Sequence, residues 1–418
     1  MYIKMTKRLP LFLLAIILGA FTIMPGFVTG KIYGPSRSVL VFIVVLLFIV
    51  SGKRYKWNNR VIPVAILFVV YCDNNYYFRT SGRISTFYIL YVVSLLTIIL
   101  AIYGITDWID TYIYMLAIMG MVHAICTIGF KFTPGFYSGH IASLYPDMQV
   151  RLMQWYNANC MPGLANHYST NGMYLVLGLY STVFFIIKHK PKNIYSVMML
   201  GIYMLAILMN GKRAHLIFSI FSLYALYYFY LSNDKRGRSV KMLGIACIAA
   251  VVAIIVITYV PDIASAFFRF QETIDEGDVT SHRVIFWALA LELFKLHPFL
   301  GVGWGQFQNY CEAIVLYRAH AHNVFIQLLC ETGVFGVLVY TIWFIVIIVK
   351  TITLFVNFRK YGGDSRDIGS LAFSLLVQIF FILYCFTGNP LYESQMFIPY
   401  YISCAILFSL EDKRKINE

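Results

Sequence analysis

The sequence predicts an all-α fold: a polytopic integral membrane protein of about 12 transmembrane helices, with a large outer loop that contains interfacial helices. Hydrophobic residues make up 60% of the 418 positions and charged residues only 12%, whereas soluble domains carry roughly 25% charged residues. This composition excludes a soluble enzyme, a disordered chain, a disulfide scaffold and a free nucleic-acid binder. The net charge of +14 therefore has to be interpreted from its position along the chain.

Apolar stretches recur along the whole chain, and most approach the roughly 20 residues that a helix needs to cross a bilayer. They lie at 9–29, 37–51, 60–72, 84–103, 110–130, 168–187, 193–209, 214–231, 242–260, 333–357, 368–387 and 395–410. The first follows basic residues, as a secretory signal does, but its long apolar run and the spans behind it favour a membrane helix.

The distribution of Lys and Arg predicts the orientation in the cytoplasmic membrane. An even number of spans places both termini on one side. With both termini in the cytoplasm, the inside segments hold 20 of the 33 Lys and Arg residues on roughly 55 loop residues, and the outside segments hold 12 on roughly 140. This difference follows the positive-inside rule. Most of the positive charge therefore reflects topology and not substrate recognition.

Spans and loops divide the chain into five segments. We expect N-terminal transmembrane helices at 1–130, a first long outer loop at 131–167, central transmembrane helices at 168–260, a large outer catalytic loop at 261–332 and C-terminal transmembrane helices at 333–418. The cytoplasmic loops are too short for a nucleotide-binding domain, and no GxxxxGK[ST] run occurs. Because long structured loops are usually functional, we expect the chemistry to face outward.

The large outer loop predicts an interfacial helix. Ser281 suits an N-cap, the apolar residues behind it follow helical spacing, and Pro298 ends the pattern. Arg283 lies in the first turn, where it acts either as an interface anchor or as a ligand. The GVGWG run at 301–305 predicts a tight turn rather than a nucleotide-binding loop.

Two further polar groups border predicted spans on the outer side. Lys212 and Arg213 begin the eighth span against the local charge bias, which indicates either snorkelling or function. His322 and Asn323 precede the tenth span, where a histidine suits proton transfer or a hydrogen bond to an anion.

No metal site is expected. His320 and His322 are two residues apart, not four, and no third ligand stands nearby. The acidic stretch at 272–278 favours a solvated linker, although its four acids could also hold a cation. Cys160 and Cys311 both fall in outer loops and could pair in an oxidising compartment.

In their order along the chain, these motifs resemble the O-antigen ligase and O-antigen polymerase family. The family pattern has three parts. Arg283 to Trp287 match R-x-x-x-W, and His297 to Gly305 match hPhhGvGhG. His322-Asn323 and Gly333 to Gly336 match H-N followed by G-h-x-G. Two further elements lie upstream. Gly211-Lys212-Arg213 match the small-polar-Arg element. Gly163, His167 and Asn171 match the G-x-x-x-H-x-x-x-N element. The resemblance covers residues 160–340. Lys212 departs from it, since the family more often has a small hydroxyl residue or glycine there.

The resemblance implies a metal-independent glycosyltransferase of the GT-C-like kind that needs no cofactor. Such an enzyme transfers a glycan from a polyprenyl-diphosphate carrier to an acceptor hydroxyl on the outer face of the membrane. Arg213 and Arg283 would bind the diphosphate, because the guanidinium fork suits phosphate oxygens. His322 would take the acceptor proton or donate to a phosphate. The remaining residues implied in substrate binding are Lys212, Asn323, His167 and Asn171.

Two products are compatible with these residues. A polymerase extends surface polysaccharide, O-antigen or capsule on the carrier, and this is our first expectation; a ligase passes the glycan to a lipid core or surface acceptor. A flippase or transporter for lipid-linked sugar is the alternative from another class, but the span centres are mainly apolar and no internal repeat is visible. The expected partners are the lipid-linked glycan donor, a glycan or lipid acceptor, the bilayer, a chain-length regulator and a flippase, and no nucleic acid.

Overall fold

The computed structural model describes residues 12–29 except 14 and 21, then 106–231, 237, 240–244 and 283–417. Within these residues the chain is helical and contains no strand, which confirms the all-α class. The longer helices are α1 (Asp107–Lys131), α2 (Gln149–Asn157), α3 (Tyr168–His189), α4 (Asn193–Asn210), α5 (Arg213–Tyr230), α6 (Arg283–Leu296), α7 (Phe307–Val315), α8 (Val324–Lys360), α9 (Ser365–Cys385) and α10 (Ser394–Asn417). Shorter helical turns lie at Gly26–Thr29, Pro134–Phe136, Tyr137–Ile141, Ala142–Leu144, Pro146–Met148 and Pro390–Tyr392.

Five of the described helices are long and apolar enough to cross a membrane, namely α1, α3, α4, α8 and α9. α5 and α10 coincide with the predicted spans at 214–231 and 395–410. The predicted spans at 37–51, 60–72 and 84–103, and most of 242–260, lie outside the described residues. Membrane insertion through several helices is therefore supported, and the total of 12 stays a prediction.

Helices α3 and α9 form the centre of the bundle. Of the 18 most apolar consecutive residues in each helix, 89% are buried in α9 and 72% in α3, whereas only 33% are buried in α1 and in α4. α9 packs against α3, α5, α8 and α10. The outer helices instead expose large apolar side chains, such as Ile118 of α1, Val197 of α4 and Ile342 of α8. An apolar outer surface around a buried pair of helices suits a hydrocarbon environment.

Small residues allow the closest helix contacts. Gly120 of α1 faces Gly178 of α3, and a Cβ atom on Gly120 would lie 2.5 Å from the Gly178 Cα. Beside this contact, the Tyr203 hydroxyl of α4 donates a hydrogen bond to the Ala117 carbonyl at 3.0 Å. Close backbone approach at small residues is the usual basis of helix association in a bilayer.

A charged cluster joins the ends of α1, α3 and α9. The Arg366 Nε donates to both carboxylate oxygens of Asp110, at 2.9 and 2.8 Å. The Lys188 Nζ donates to Oδ2 of the same carboxylate at 3.0 Å. The sequence predicts all three residues on the cytoplasmic side, and their contact agrees with that prediction. The orientation of the protein in a membrane stays a prediction.

α8 begins at Val324, earlier than the predicted start of the span at 333, and it breaks at Gly333. Gly333 has φ 65° and ψ −169°, a conformation that essentially only glycine adopts. The break frees carbonyls from the helical ladder, and the GVGWG turn supplies new donors for them. Val302 N donates to Cys330 O and Gly303 N donates to Glu331 O, each at 2.9 Å. The glycine-rich run is thus a tight turn, as expected, and it is fitted to a broken helix.

Candidate active site

α6 anchors two loops through side chains one helical turn apart. Its first residue, Arg283, donates from Nη1 to the Thr387 carbonyl at 2.9 Å. Trp287 donates from Nε1 to the Ala321 carbonyl at 2.8 Å. Residues four apart share a helix face, so the R-x-x-x-W spacing directs both side chains to the same side. A helix is confirmed at Arg283–Leu296, and its position at the membrane interface stays a prediction. Ser281 lies outside the described residues.

His322 lies in the loop that Trp287 holds, directly before α8. Its φ of 53° is in the left-handed region, where non-glycine residues are uncommon. The next residue, Asn323, caps α8 by accepting from Phe325 N at 3.0 Å and Ile326 N at 3.2 Å. Because Trp287 fixes one side of this loop and the Asn323 cap fixes the other, His322 is held in an otherwise unfavourable conformation. Backbone strain of this kind concentrates at functional sites.

The surroundings of His322 are positively charged. Burial lowers the pKa of this imidazole to about 3, and the positive charges of Arg283 and Lys212 act in the same direction. The amide of Asn389 lies against the ring, with Nδ2 3.4 Å from Nδ1 of His322. With the amide turned over, its oxygen accepts from the His322 backbone N–H at 3.3 Å. His322 is therefore a neutral imidazole at pH 7, and it is oriented by an amide.

Lys212 and Arg213 lie at the beginning of α5. Lys212 occupies the N-cap position and Arg213 is the first helical residue. The Lys212 Nζ lies 5.4 Å from the centre of the Tyr168 ring. Burial lowers the pKa of the Lys212 ammonium to about 8, with Glu393 opposing the shift and Arg283 and Arg213 adding to it. The three cations are thus close enough to act on one another.

Arg283 completes this cationic cluster. Burial lowers the pKa of its guanidinium; Tyr384 and Tyr168 oppose the shift, and Arg213 contributes to it. Residues from 212–213, 283 and 322, which are far apart in sequence, therefore meet in one place. The structure brings together the three predicted catalytic residues, and their roles stay a prediction.

His167 lies at the beginning of α3, beside the same cluster. It is the N-cap residue, and its Nδ1 accepts from Ser169 N at 2.9 Å. Its ring packs against Trp155 with the ring centres 4.2 Å apart. Burial lowers the pKa of His167 to about 4, and Lys212 acts in the same direction. Like His322, it is neutral at pH 7 and close to the cations.

Asn171 is used by the scaffold. It is fully buried, and its Nδ2 donates to Thr127 Oγ1 at 2.9 Å and to the Met161 carbonyl at 3.1 Å. A Cβ atom on Gly163 would lie 2.7 Å from the Asn171 Oδ1, so the matched glycine makes room for this amide. Gly163, His167 and Asn171 thus fold the end of the first outer loop onto α3. Direct contact between Asn171 and substrate stays a prediction.

A buried carboxylate, which the sequence analysis did not single out, holds the site loops together. Glu331 accepts from Gly305 N at 2.9 Å, Phe307 N at 3.1 Å, Gln327 Nε2 at 3.0 Å and the Tyr392 hydroxyl at 2.6 Å. Gln327 in turn accepts from Ala321 N at 3.1 Å. One side chain therefore joins the glycine turn, α8 and the segment before α10.

His320 belongs to the same network and not to the cationic cluster. Its Nδ1 lies 3.1 Å from the Gln327 Nε2, and burial lowers its pKa to about 4. His320 contacts Gln327 and His322 contacts Asn389, so the two histidines make separate contacts and do not form a pair of metal ligands. In the part of the chain that the structure describes, no group of three His, Cys, Asp or Glu residues could hold a metal ion. Cys160 and Cys311 do not form a disulfide bond. The acidic stretch at 272–278 lies outside the described residues.

Comparison with known families agrees with this geometry. Residues 196–341 match the family model described as O-antigen ligase. The matched segment contains Lys212, Arg213, Arg283 and His322, whereas His167 and Asn171 precede it. No curated protein matches the chain. The resemblance to the O-antigen ligase and polymerase family is confirmed, and it supports a membrane protein of surface-polysaccharide biosynthesis.

Proposed function

We propose that this protein is a membrane glycosyltransferase that uses a polyprenyl-diphosphate-linked glycan at the outer face of the cytoplasmic membrane. The observation that carries the proposal is the meeting of Lys212, Arg213 and Arg283 at the first turns of α5 and α6. A helix N-terminus directs backbone N–H groups and a positive dipole end toward an anion. Cations there fit a ligand of high negative charge, and a diphosphate has that charge.

In this proposal, the arginines do most of the electrostatic work. When the glycan leaves its carrier, the bond between the anomeric carbon and the diphosphate oxygen breaks, and the electron pair remains on the diphosphate. Arg213 and Arg283 stabilise the charge that develops there, and partial burial increases their effect because the local dielectric is low. Lys212 adds a third positive charge. No step in this account uses a metal ion.

Of the two roles considered for His322, hydrogen bonding to the phosphate is the better supported. A histidine with a pKa of about 3 is a weak base at neutral pH. Burial is the largest cause of that shift, and binding of an anion would not remove it. A neutral imidazole still offers one N–H donor. His167 offers a second neutral imidazole beside Lys212, and Asn323 fixes the His322 backbone.

The product distinguishes two activities of the same site. We propose polymerisation of carrier-linked repeats as the first activity. Transfer to a lipid core or surface acceptor is the second, and the match to the O-antigen ligase family model favours it. Both need the same diphosphate site and differ in the acceptor.

Reconstitution in proteoliposomes tests the proposal. The purified protein is incubated with lipid-linked repeats isolated from cells that lack it, with and without a lipid-core acceptor. A ladder of products on the carrier lipid identifies a polymerase, and a product on the lipid core identifies a ligase. Arg283→Ala serves as the matched inactive control. If neither product forms in an amount above that control, the proposed function is wrong.

A further inference from the structure

The segment between α9 and α10 is fastened to the site at three points. The Thr387 carbonyl accepts from Arg283, the Asn389 amide contacts His322, and the Tyr392 hydroxyl donates to Glu331. The three anchors come from α6, the loop before α8 and α8 itself. Residues 387–393 are therefore a wall of the candidate site, although they lie outside the segment that matches the family model.

Glu393 is the acidic residue of this wall. Its backbone carbonyl accepts from Met396 N and Phe397 N, each at 2.9 Å, and so begins α10. Its carboxylate faces the site, because Glu393 is the charge that acts most strongly on Lys212. It also lies close enough to Tyr384 to interact electrostatically with that side chain. The Glu393 Oε2 is buried and, among the described residues, has no hydrogen-bond partner.

Glu393 differs in this respect from Glu331, the fully buried acid near the site. Each carboxylate oxygen of Glu331 accepts two hydrogen bonds from the scaffold. Neither oxygen is therefore available to a substrate. A buried carboxylate oxygen without a donor is costly unless a ligand or a proton uses it. Among the acids described near the cationic cluster, Glu393 is thus the one with acceptor capacity to spare.

We infer that Glu393 is the catalytic base that takes the proton of the acceptor hydroxyl. This inference rests on the proposed function. As the acceptor oxygen forms its bond to the anomeric carbon, its O–H bond breaks and the proton passes to a Glu393 oxygen. The bond from the anomeric carbon to the diphosphate breaks at the same time, and its electron pair stays on the diphosphate facing Arg213 and Arg283. The proton on Glu393 then returns to water.

The acid–base properties of Glu393 suit this role. Burial raises the pKa of the carboxyl to about 7, and the positive charge of Lys212 opposes the shift. A base works best when its pKa lies near the working pH. Lys212 keeps a useful fraction of the group ionised, which gives a reason for lysine where the family more often has a small residue.

Glu393→Gln tests the role, because the amide keeps the shape of the side chain and cannot accept the proton. We expect kcat for transfer from the lipid-linked donor to fall roughly 10²–10⁴-fold, the usual contribution of a general base. The affinity for polyprenyl diphosphate alone should change less than about threefold, since only the acceptor step is affected. Glu393→Asp keeps a carboxylate and should retain measurable activity. Glu312→Gln, in an exposed ion pair with Arg318, is the matched control and should remain active.

A purely structural role would give a different result in the comparison of kcat with donor affinity. If Glu393 only balances the charge of Lys212, Glu393→Gln should change the affinity for polyprenyl diphosphate as strongly as it changes kcat. We expect the loss in kcat alone. We also expect the activity of the unsubstituted protein to fall as the pH drops through about 7, since the base is then protonated. The residual activity of Glu393→Gln should not show this fall, which is the acidic limb of the pH profile.

The outcomes separate this inference from the proposed function. When the unsubstituted protein transfers glycan, three results would each overturn the role of Glu393 alone: an active Glu393→Gln variant, a loss of donor affinity as large as the loss in kcat, or an unchanged pH limb. Absence of transfer by the unsubstituted protein would overturn the proposed function, and the role of Glu393 with it.

Discussion

Replacement of Glu331 should destabilise the protein more than any single loss of a surface charge. The carboxylate is fully buried and accepts four hydrogen bonds from Gly305, Phe307, Gln327 and Tyr392. Each buried donor left without a partner costs roughly 1–3 kcal/mol. Glu331→Ala orphans the Gly305, Phe307 and Tyr392 donors, while Gln327 Nε2 keeps its contact with His320 Nδ1. The free energy of unfolding should therefore fall by at least about 3 kcal/mol.

Glu331→Gln should have a smaller effect with a defined origin. The amide oxygen can keep the two bonds made by one carboxylate oxygen, but the amide nitrogen then faces the Gly305 N–H and the Tyr392 hydroxyl. The tyrosine can reverse its role and accept, whereas the backbone N–H cannot. We expect a loss of roughly 1–3 kcal/mol, about that of one orphaned donor.

Thermal unfolding in detergent measures both variants. A dye that fluoresces on reaction with thiols reports the exposure of buried free cysteines, and Cys311 and Cys330 lie close to the affected loops. Glu292→Gln is the matched control, because it breaks an exposed ion pair with Lys295. The order of midpoints should be control, Gln, then Ala. If the unfolding midpoints of Glu331→Ala and of the control agree within experimental error, the claim that the Glu331 hydrogen bonds stabilise the protein is refuted.

Four further outcomes are expected. Arg283→Lys keeps the charge but loses the planar fork, so transfer should fall roughly 10²–10³-fold; activity near the unsubstituted level would contradict a diphosphate-binding role. His322→Ala should lower kcat while the exposed His297→Ala does not, as measured in the same transfer assay. Chelation of divalent ions should leave transfer intact, and loss of activity that a divalent ion restores would move attention to residues 272–278. Single-cysteine labelling from outside should modify position 275 and not position 236, and the reverse pattern would invert the predicted topology.

Much of the fold follows from hydropathy alone. A helix in a bilayer has to be continuous, apolar and about 20 residues long, so the predicted spans at 168–187 and 368–387 lie close to α3 and α9. The prediction is less accurate at α8, where apolar residues continue across the break at Gly333. Hydropathy does not detect a change in φ. Gly333 itself was the available signal, because essentially only glycine adopts the backbone conformation found at the break. The GVGWG turn then supplies the donors that the break requires.

The candidate site was predictable where it contains charge in an unusual place. Lys212 and Arg213 stood out because cations at that end of the span oppose the positive-inside bias. Arg283 stood out through the match of R-x-x-x-W to the family pattern. Glu393 and Asn389 did not stand out, because a short polar loop between two spans is ordinary in composition. Their position becomes informative only when the fold brings residues 387–393 against α6 and α8. His320 shows the converse, since it lies only two residues from His322 in sequence, whereas its contacts assign it to the Glu331 network.

The position of the cations also explains what the rest of the fold has to supply. Arg283 and Arg213 lower the pKa of Lys212, and Arg213 also lowers the pKa of Arg283. Each of the three cations lies at the positive end of a helix, where a cation is disfavoured by roughly 0.3–1 kcal/mol. Without an anion, the site therefore opposes its own assembly. The scaffold offsets this cost through the buried α9 and through the Glu331 network that fixes the site loops. A diphosphate would reverse the sign of these terms, so ligand binding and local stability should be coupled at this site.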